Sequence, residues 1–190
     1  MLSQALRFLL DTIFGFFVFV LLARFYLQLM RAPFRNPLGQ FVSALTNWLV
    51  LPARRFIPGM FGVDLASLLL AWLIEALLLF LLYLLGSGGI ASGPGLAIWI
   101  FLTLSLLELV RYSLYLLIGV ILIQAVISWI NPYAPLAPLF NALTAPFLRP
   151  FRRLIPPIGN VDLSPLFALV VAQLLLIPID YLERSVAALL

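Results

Sequence analysis

Two stretches of the sequence carry paired arginines, flanking prolines and an aspartate in the same order. The first reads Pro-Ala-Arg-Arg-Phe-Ile-Pro from Pro52 and continues to Val-Asp-Leu from Val63. The second reads Pro-Phe-Arg-Arg-Leu-Ile-Pro from Pro150 and continues to Val-Asp-Leu from Val161. Corresponding residues differ by 98 (152 − 54 = 98 and 162 − 64 = 98). Guanidinium groups attract anionic headgroups and carboxylates, so these residues indicate anion binding or ion pairing.

We call residues 52–64 and 150–162 the first and second cassette. A repeat whose period is about half the chain indicates duplication of one structural unit. Each arginine here is worth on the order of 1 kcal/mol beside an anionic membrane surface. Two interpretations stay open: the arginines only set topology and anchor the chain, or they bind a lipid headgroup or an acidic partner. The candidate docking residues are Arg54, Arg55, Arg149, Arg152 and Arg153.

An aspartate closes each cassette directly before a long apolar run. Asp64 and Asp162 are therefore predicted to cap helices, because a carboxylate can accept hydrogen bonds from amides that lipid cannot satisfy. Capping is favoured over a catalytic role. An arginine–aspartate ion pair inside each cassette is compatible with it.

Four polar residues lie inside the apolar runs. A charge at the membrane centre costs about 2.5–3.5 kcal/mol or more unless it is paired or neutralised. Glu75 corresponds to Gln173 by the shift of 98, and Arg24 corresponds to Gln124 by a shift of about 100. Because both charges are replaced together, we expect a buried Arg24–Glu75 pair. The same reasoning predicts a Gln124–Gln173 hydrogen bond. Contact between helices is the favoured role, and an ion or proton path through Glu75 is the alternative.

The composition is that of an integral membrane protein. The chain has 190 residues, of which 65% are hydrophobic and 9% charged, against about 25% charged in soluble domains. It contains no Cys and no His, which excludes thiolate or imidazole metal sites, disulfides and haem ligation through those side chains. All eleven basic residues are arginines, and their placement indicates topology and lipid contact rather than nucleic-acid binding. No catalytic residues, metal or cofactor are expected.

The apolar runs predict four transmembrane helices, two in each repeat. The runs cover about 9–30, 65–85, 96–130 and 163–179, and a span needs about 20 residues. We expect the first to be retained rather than cleaved as a signal. The third is too long for one span, so its span is expected to begin near Leu109. Residues 96–107 would then lie at the membrane or dip into it. A fifth span is the competing interpretation.

The expected domains are a first repeat over 1–86, a linker with the extra apolar piece over 87–103, and a second repeat over 104–190. The positive-inside rule places both Arg-rich loops in the cytoplasm and the Gly-rich linker and the termini outside. The two repeats are then parallel. Within each loop an apolar face at helical spacing predicts a short amphipathic segment at the headgroups, although Pro138 and Pro146 are expected to limit the second one. The face residues are Phe41, Leu45, Trp48 and Leu49, with Leu139, Leu143 and Phe147.

The predicted fold class is thus an all-α membrane protein: two tandem parallel repeats, each a helix, an interfacial amphipathic segment and a helix. The duplicated cassette between apolar runs resembles the YggT family of small bacterial inner-membrane proteins, to which YlmG and plastid proteins are related. The resemblance covers about residues 9–179. The glycine before the aspartate is less regular, with Gly62 in one copy and Gly159-Asn160 in the other. The signature positions are Pro52, Arg54, Arg55, Pro58 and Asp64, with Pro150, Arg152, Arg153, Pro156 and Asp162.

The resemblance implies no enzymatic activity. It implies links to osmotic-stress tolerance and potassium uptake, to cell division or nucleoid organisation, and to the assembly of cytochrome complexes. We therefore expect an inner-membrane organising or assembly factor, acting in the cell envelope or with respiratory complexes, that docks anionic lipid or an unidentified membrane protein. The alternative is ion homeostasis or transport, with Arg24 and Glu75 near the path. Nucleic acid is not an expected partner, and self-association is left open.

Overall fold

The computed structural model describes residues 2–34, 36–57, 59, 62–86, 94–155 and 162–189. The signature residues Pro58, Pro156, Gly159 and Asn160 and most of the Gly-rich linker lie outside this part of the chain. The described residues form six α-helices. They are α1 (Leu2–Leu29), α2 (Pro37–Ala53), α3 (Leu65–Leu84), α4 (Pro94–Ile130), α5 (Ala137–Leu154) and α6 (Ser164–Ala187).

Four of the six helices are long and apolar enough to cross a membrane, as predicted. In each half of the chain a shorter helix separates two long ones, so the order long–short–long occurs twice. This order is consistent with duplication of a three-helix unit. The all-α fold class with four membrane-length helices is confirmed over the described residues. Their apolar stretches are Ser3–Leu29, Leu65–Leu84, Ala97–Ile130 and Ser164–Ala187.

Helix α4 is continuous over Pro94–Ile130, so the expectation that residues 96–107 form a separate apolar piece is wrong. It runs for 37 residues, on the order of 55 Å at about 1.5 Å per residue. Arg111 lies within it and pairs with Glu108 at 2.9 Å and with Asp180 of α6 at 2.8 Å. These acids neutralise the charge of the arginine inside the bundle. In the described ranges no fifth helix has the length and hydropathy of a span.

Helix α5 also continues through the prolines that were expected to limit or break it. Pro146 and Pro150 lie inside it, and both are exposed. A proline removes one amide donor and crowds the carbonyl four residues earlier. Because the two prolines are four residues apart, they share one face, and the displaced carbonyls can turn outward. Pro138 lies in the first turn, where amides have no partner inside the helix.

A cluster of buried apolar side chains joins the helices of the first repeat to α4. Helix α1 packs on α3, α3 packs on the first half of α4, and α4 packs on α6. In lipid such contacts are stabilised by van der Waals packing and hydrogen bonds rather than by exclusion of water. The buried core here consists of Val18, Leu21, Leu22, Val50, Ala66, Ala71 and Leu109.

Candidate functional site

The first cassette is held together by a forked ion pair between Arg54 and Asp64. Arg54 Nη2 lies 2.6 Å from Asp64 Oδ2, and its Nε lies 3.3 Å from Oδ1. A second bond joins Arg54 Nη2 to Gln28 Oε1 of α1 at 3.0 Å. Asp64 is the N-cap residue of α3, as predicted, and accepts from the amide of Ser67 at 3.3 Å and from its hydroxyl at 2.6 Å. The Asp64 carboxylate thus caps the N-terminus of α3 and holds the cassette against that helix.

Arg24 joins this cassette, so the predicted Arg24–Glu75 pair is wrong. Its side chain is buried, and its Nε lies 3.4 Å from Asp64 Oδ2. Its Nη1 donates to Thr46 Oγ1 at 2.6 Å and to Asn47 Oδ1 at 2.9 Å, both on α2. Asp64 and Glu75 are eleven residues apart on the chain, which is about 16 Å along a helix. The guanidinium turns toward the end of α3 that carries the cassette, where three acceptors are available.

Glu75 therefore lies in the bundle without the cation predicted for it. It is 2% exposed, in the middle of α3. Within the described part of the chain, its Oε2 has no hydrogen-bond partner. An unpaired carboxyl oxygen buried in a membrane helix is energetically costly.

The second cassette repeats the ion pair in a looser form. Arg152 Nε lies 2.8 Å from Asp162 Oδ2, with the two side chains 41% and 28% exposed. In the first cassette the aspartate is only 1% exposed. Asp162 accepts from the amide of Ser164 at 2.9 Å, but the N-cap residue of α6 is Leu163, so the aspartate stands one residue earlier than predicted. The second copy lacks a second arginine on its aspartate among the described residues.

The predicted Gln124–Gln173 hydrogen bond is wrong as well. Gln124 is buried and donates from Nε2 to Asn141 Oδ1 of α5 at 2.6 Å. Gln173 is exposed on the surface of α6. Beside Gln124 lies a cavity of about 100 Å³, lined also by Asn141, Ser128 and Arg152. The larger Arg24 occupies the corresponding place of the first copy, so the shorter glutamine accounts for the space.

Both copies share a link that the sequence reasoning missed. In each repeat the polar residue of the first long helix bonds to the short helix, Arg24 to α2 and Gln124 to α5. Thr46 and Thr144 are both buried there and bond to the carbonyls of Val42 and Phe140 at 2.6 and 2.8 Å. The two threonines differ by 98 (144 − 46 = 98), so the repeat itself could have identified them.

The surroundings of both cassette aspartates favour the ionised carboxylate. Burial alone would raise the pKa of Asp64, but the hydrogen bonds from Arg54 and Ser67 outweigh it and lower the pKa below its ordinary value. For Asp162 the weaker effect of burial is likewise outweighed by bonds from Ser164 and Arg152, so its pKa is also lowered. Both ion pairs therefore persist at neutral pH.

The two arginines of each cassette have different surroundings. The first, Arg54 or Arg152, is bound to the aspartate. The second, Arg55 or Arg153, is exposed and makes no ion pair within the described ranges. Arg149 is exposed in the same way. A large apolar residue follows each second arginine and is almost fully exposed: Phe56 at 86% and Leu154 at 79%.

A separate apolar groove lies between the two repeats. Its volume is about 500 Å³, and it runs between α1 and α2 on one side and α4 and α5 on the other. Its lining is almost wholly aliphatic and aromatic, including Phe19, Leu27, Leu117 and Phe140. The hydroxyl groups among the lining residues are those of Ser113 and Tyr26. Among the described residues, no three acidic side chains converge in a way that could hold a metal ion.

The same two-copy arrangement appears in comparisons with known proteins. The CCB3/YggT family model matches the chain twice, over residues 3–85 and 103–181. The chain belongs to the CCB3/YggT family. Each match covers one helix–cassette–helix unit, in line with the duplication inferred from the arginine motif.

Related members of the family are found in several bacteria. An uncharacterized protein of Pseudomonas aeruginosa is 42% identical over 176 residues, covering 92% of this chain and 87% of its own length. A Vibrio alginolyticus protein is 38% identical over 164 residues, covering 86% of each chain. The uncharacterized protein YggT of Escherichia coli K12 is 35% identical over 164 residues, covering 86% of this chain and 82% of its own length. No solved structure matches the chain significantly.

Proposed function

We propose that this CCB3/YggT protein is a non-enzymatic organising or assembly factor of the bacterial inner membrane that docks anionic phospholipid through its cassettes. The observation that carries the proposal is the split within each Arg-Arg pair. One arginine is tied to the aspartate, whereas its neighbour is exposed beside an exposed large apolar residue. The first fixes the position of the cassette, and the second is left available.

This combination suits the headgroup region of a bilayer. A guanidinium can bind lipid phosphate while the neighbouring Phe56 or Leu154 enters the acyl boundary. Arg54 and Arg152 contribute little to docking, because their charge is already balanced by aspartate. The docking set therefore narrows to Arg55, Arg149 and Arg153. We place these residues on the cytoplasmic side, because Arg-rich loops stay there under the positive-inside rule.

The test compares two double variants that remove the same charge. Arg55→Gln/Arg153→Gln removes the available cassette arginines, whereas Arg7→Gln/Arg184→Gln removes two other exposed arginines, neither of them in a cassette. Binding of phosphatidylglycerol and of phosphatidylcholine to the purified protein is measured by native mass spectrometry. At about 1 kcal/mol per arginine, the cassette variant should bind phosphatidylglycerol about 30-fold more weakly.

Two results would reject lipid docking. One is an equal loss in the control variant, and the other is equal binding of the anionic and the zwitterionic lipid by the unsubstituted protein. A protein partner that co-purifies from native membrane and is lost only in the cassette variant, while phosphatidylglycerol binding is unchanged, would assign the cassettes to that partner.

A second candidate, ion or proton transport, rests on the buried Glu75 with its unpartnered carboxyl oxygen. A mid-membrane acid of this kind is a frequent feature of ion pathways. An ion or proton flux into proteoliposomes that is present with the unsubstituted protein and absent with Glu75→Gln would support transport. Equal flux in Glu75→Gln and in protein-free liposomes would exclude this route.

A further inference from the structure

Helix α6 presents an exposed stripe with one hydrogen-bonding residue at its centre. The stripe residues are spaced by four, three, four and four, so they lie on one helix face. Each of them is exposed. Gln173 sits near the middle of the apolar run 163–179, at the depth where lipid offers no hydrogen bond. The stripe consists of Leu166, Val170, Gln173, Ile177 and Tyr181.

Gln173 has no hydrogen bond within the part of the chain that the structure describes. Its amide carries two donors and one acceptor, and leaving them unpaired in hydrocarbon is unfavourable. Asparagine and glutamine within transmembrane helices instead tend to bond across helix pairs. We therefore expect the Gln173 amide to bond to a partner outside the described part of the chain.

The first repeat shows the corresponding face with a partner in place. The positions 98 residues earlier include Trp72, Glu75 and Tyr83 of α3, and all three are buried or half-buried. They lie against the first half of α4. Trp72 Nε1 donates to the carbonyl of Leu102 at 3.0 Å, and the ring of Tyr83 lies 5.4 Å from that of Phe101.

The stripe of α6 lacks such a covering helix among the described residues. Helix α6 packs on α4 and α5, and it does so through its other side. The buried side includes Ala168, Ala172 and Ile179, which fall between the stripe positions. One face of α6 thus packs against helices of the same chain. The other face, which corresponds to the covered face of α3, is exposed.

We propose that this stripe binds the same stripe of a second copy of the chain. Two copies in one membrane have the same orientation, so a two-fold axis along the membrane normal brings Gln173 to the depth of its partner. A glutamine amide is complementary to itself, so the pair exchanges two hydrogen bonds. The spacing of three and four residues is that of left-handed helix packing, which the apolar stripe residues can follow. This surface is independent of lipid docking by the cassettes.

Cysteine crosslinking in native membranes tests the surface directly, because the chain contains no Cys of its own. Ile177→Cys places a thiol on the stripe. The matched control is Leu175→Cys, at a similar depth and also exposed, but two residues and so about 200° around the helix. Under mild oxidation Ile177→Cys should give a product of twice the chain mass in several-fold excess over Leu175→Cys.

The role of the amide is tested in the Ile177→Cys background. Gln173→Leu removes both hydrogen bonds and should weaken association roughly tenfold, taking each bond as worth about threefold. Gln173→Asn, which retains an amide, should preserve most of the crosslink. The proposal fails if no dimer forms, if both cysteines crosslink equally, if Gln173→Leu has no effect, or if the product contains a different protein. If no dimer forms, lipid covers the stripe, and if the product contains a different protein, that protein covers it.

Discussion

At the scale of single residues, the cassette aspartates are the points on which each repeat is fixed. Asp64 receives Arg24 from α1, Arg54 from its own cassette and Ser67 from α3, so it joins a long helix and the cassette to the start of another helix. Asp162 keeps only the cassette arginine and the turn to Ser164. The second repeat is accordingly looser at this point.

A double-mutant cycle distinguishes the partner of Arg24. Arg24→Gln should destabilise the protein by about 2–3 kcal/mol, because buried acceptors lose their donor. Combined with Asp64→Asn, it should show a coupling energy of about 1–3 kcal/mol, since the two side chains touch. Combined with Glu75→Gln, it should be additive within about 0.5 kcal/mol. Thermal unfolding in detergent measures the stabilities of the wild type, the three single variants and the two double variants. Coupling to Glu75 instead of Asp64 would contradict this geometry.

Stability should fall on acidification because of the same aspartates. Their pKa values are lowered in the fold, so their stabilisation is present above the unfolded value, about 3.9, and is lost as pH falls through the lower folded value. The unfolding temperature should therefore decrease from about pH 4 downward. Asp162→Asn should make this decrease shallower, as measured by thermal scans between about pH 6 and pH 2. Parallel curves for variant and wild type would rule out a contribution from this pair.

At the scale of helices, the length of α4 determines which faces are covered. The first half of α4 lies along α3. It buries the side of α3 that carries Glu75. The indole of Trp72 and the ring of Phe101 connect the two helices. A separate interfacial segment, as the sequence had suggested, would have left this face to lipid.

The contact between α3 and α4 can be tested with two tryptophans. Trp72→Phe removes the donor to the Leu102 carbonyl and should destabilise the protein by about 1 kcal/mol. Trp99→Phe is the matched control, because this tryptophan lies on the same half of α4 but is 70% exposed. Thermal unfolding and amide exchange over residues 97–105 measure the effect. Equal losses in both variants would mean that the hydrogen bond is unimportant.

At the scale of the whole molecule, the two repeats have the same helix order. They differ in how their polar residues are paired and in which helix faces are covered. The first has a charged cluster and a covered α3, whereas the second has a small polar cavity and a stripe on α6 that nothing described covers. Between them runs the apolar groove of about 500 Å³. Both cassettes follow the same helix order, which is the basis for placing them on one side of the membrane.

Reporter fusions test that placement. A reporter inserted at Ser92, in the linker between the repeats, should be active on the periplasmic side, and one at Arg35 should be active in the cytoplasm. The reason is that the positive charge of the loops, and not of the linker, determines orientation. A cytoplasmic signal at Ser92 would reverse the topology and remove the cassettes from the cytoplasmic leaflet.

The sequence by itself determined the duplication, the four membrane-length helices and the cap at Asp64. These depend on local patterns: a motif at constant shift, runs of about 20 apolar residues, and an acid directly before a helix. Tertiary structure alone decided the partner of Arg24, because the depth of a residue along a helix does not give the direction in which its side chain points. It also decided the pairing of Arg111, since one of its acidic partners, Asp180, comes from 69 residues further along the chain.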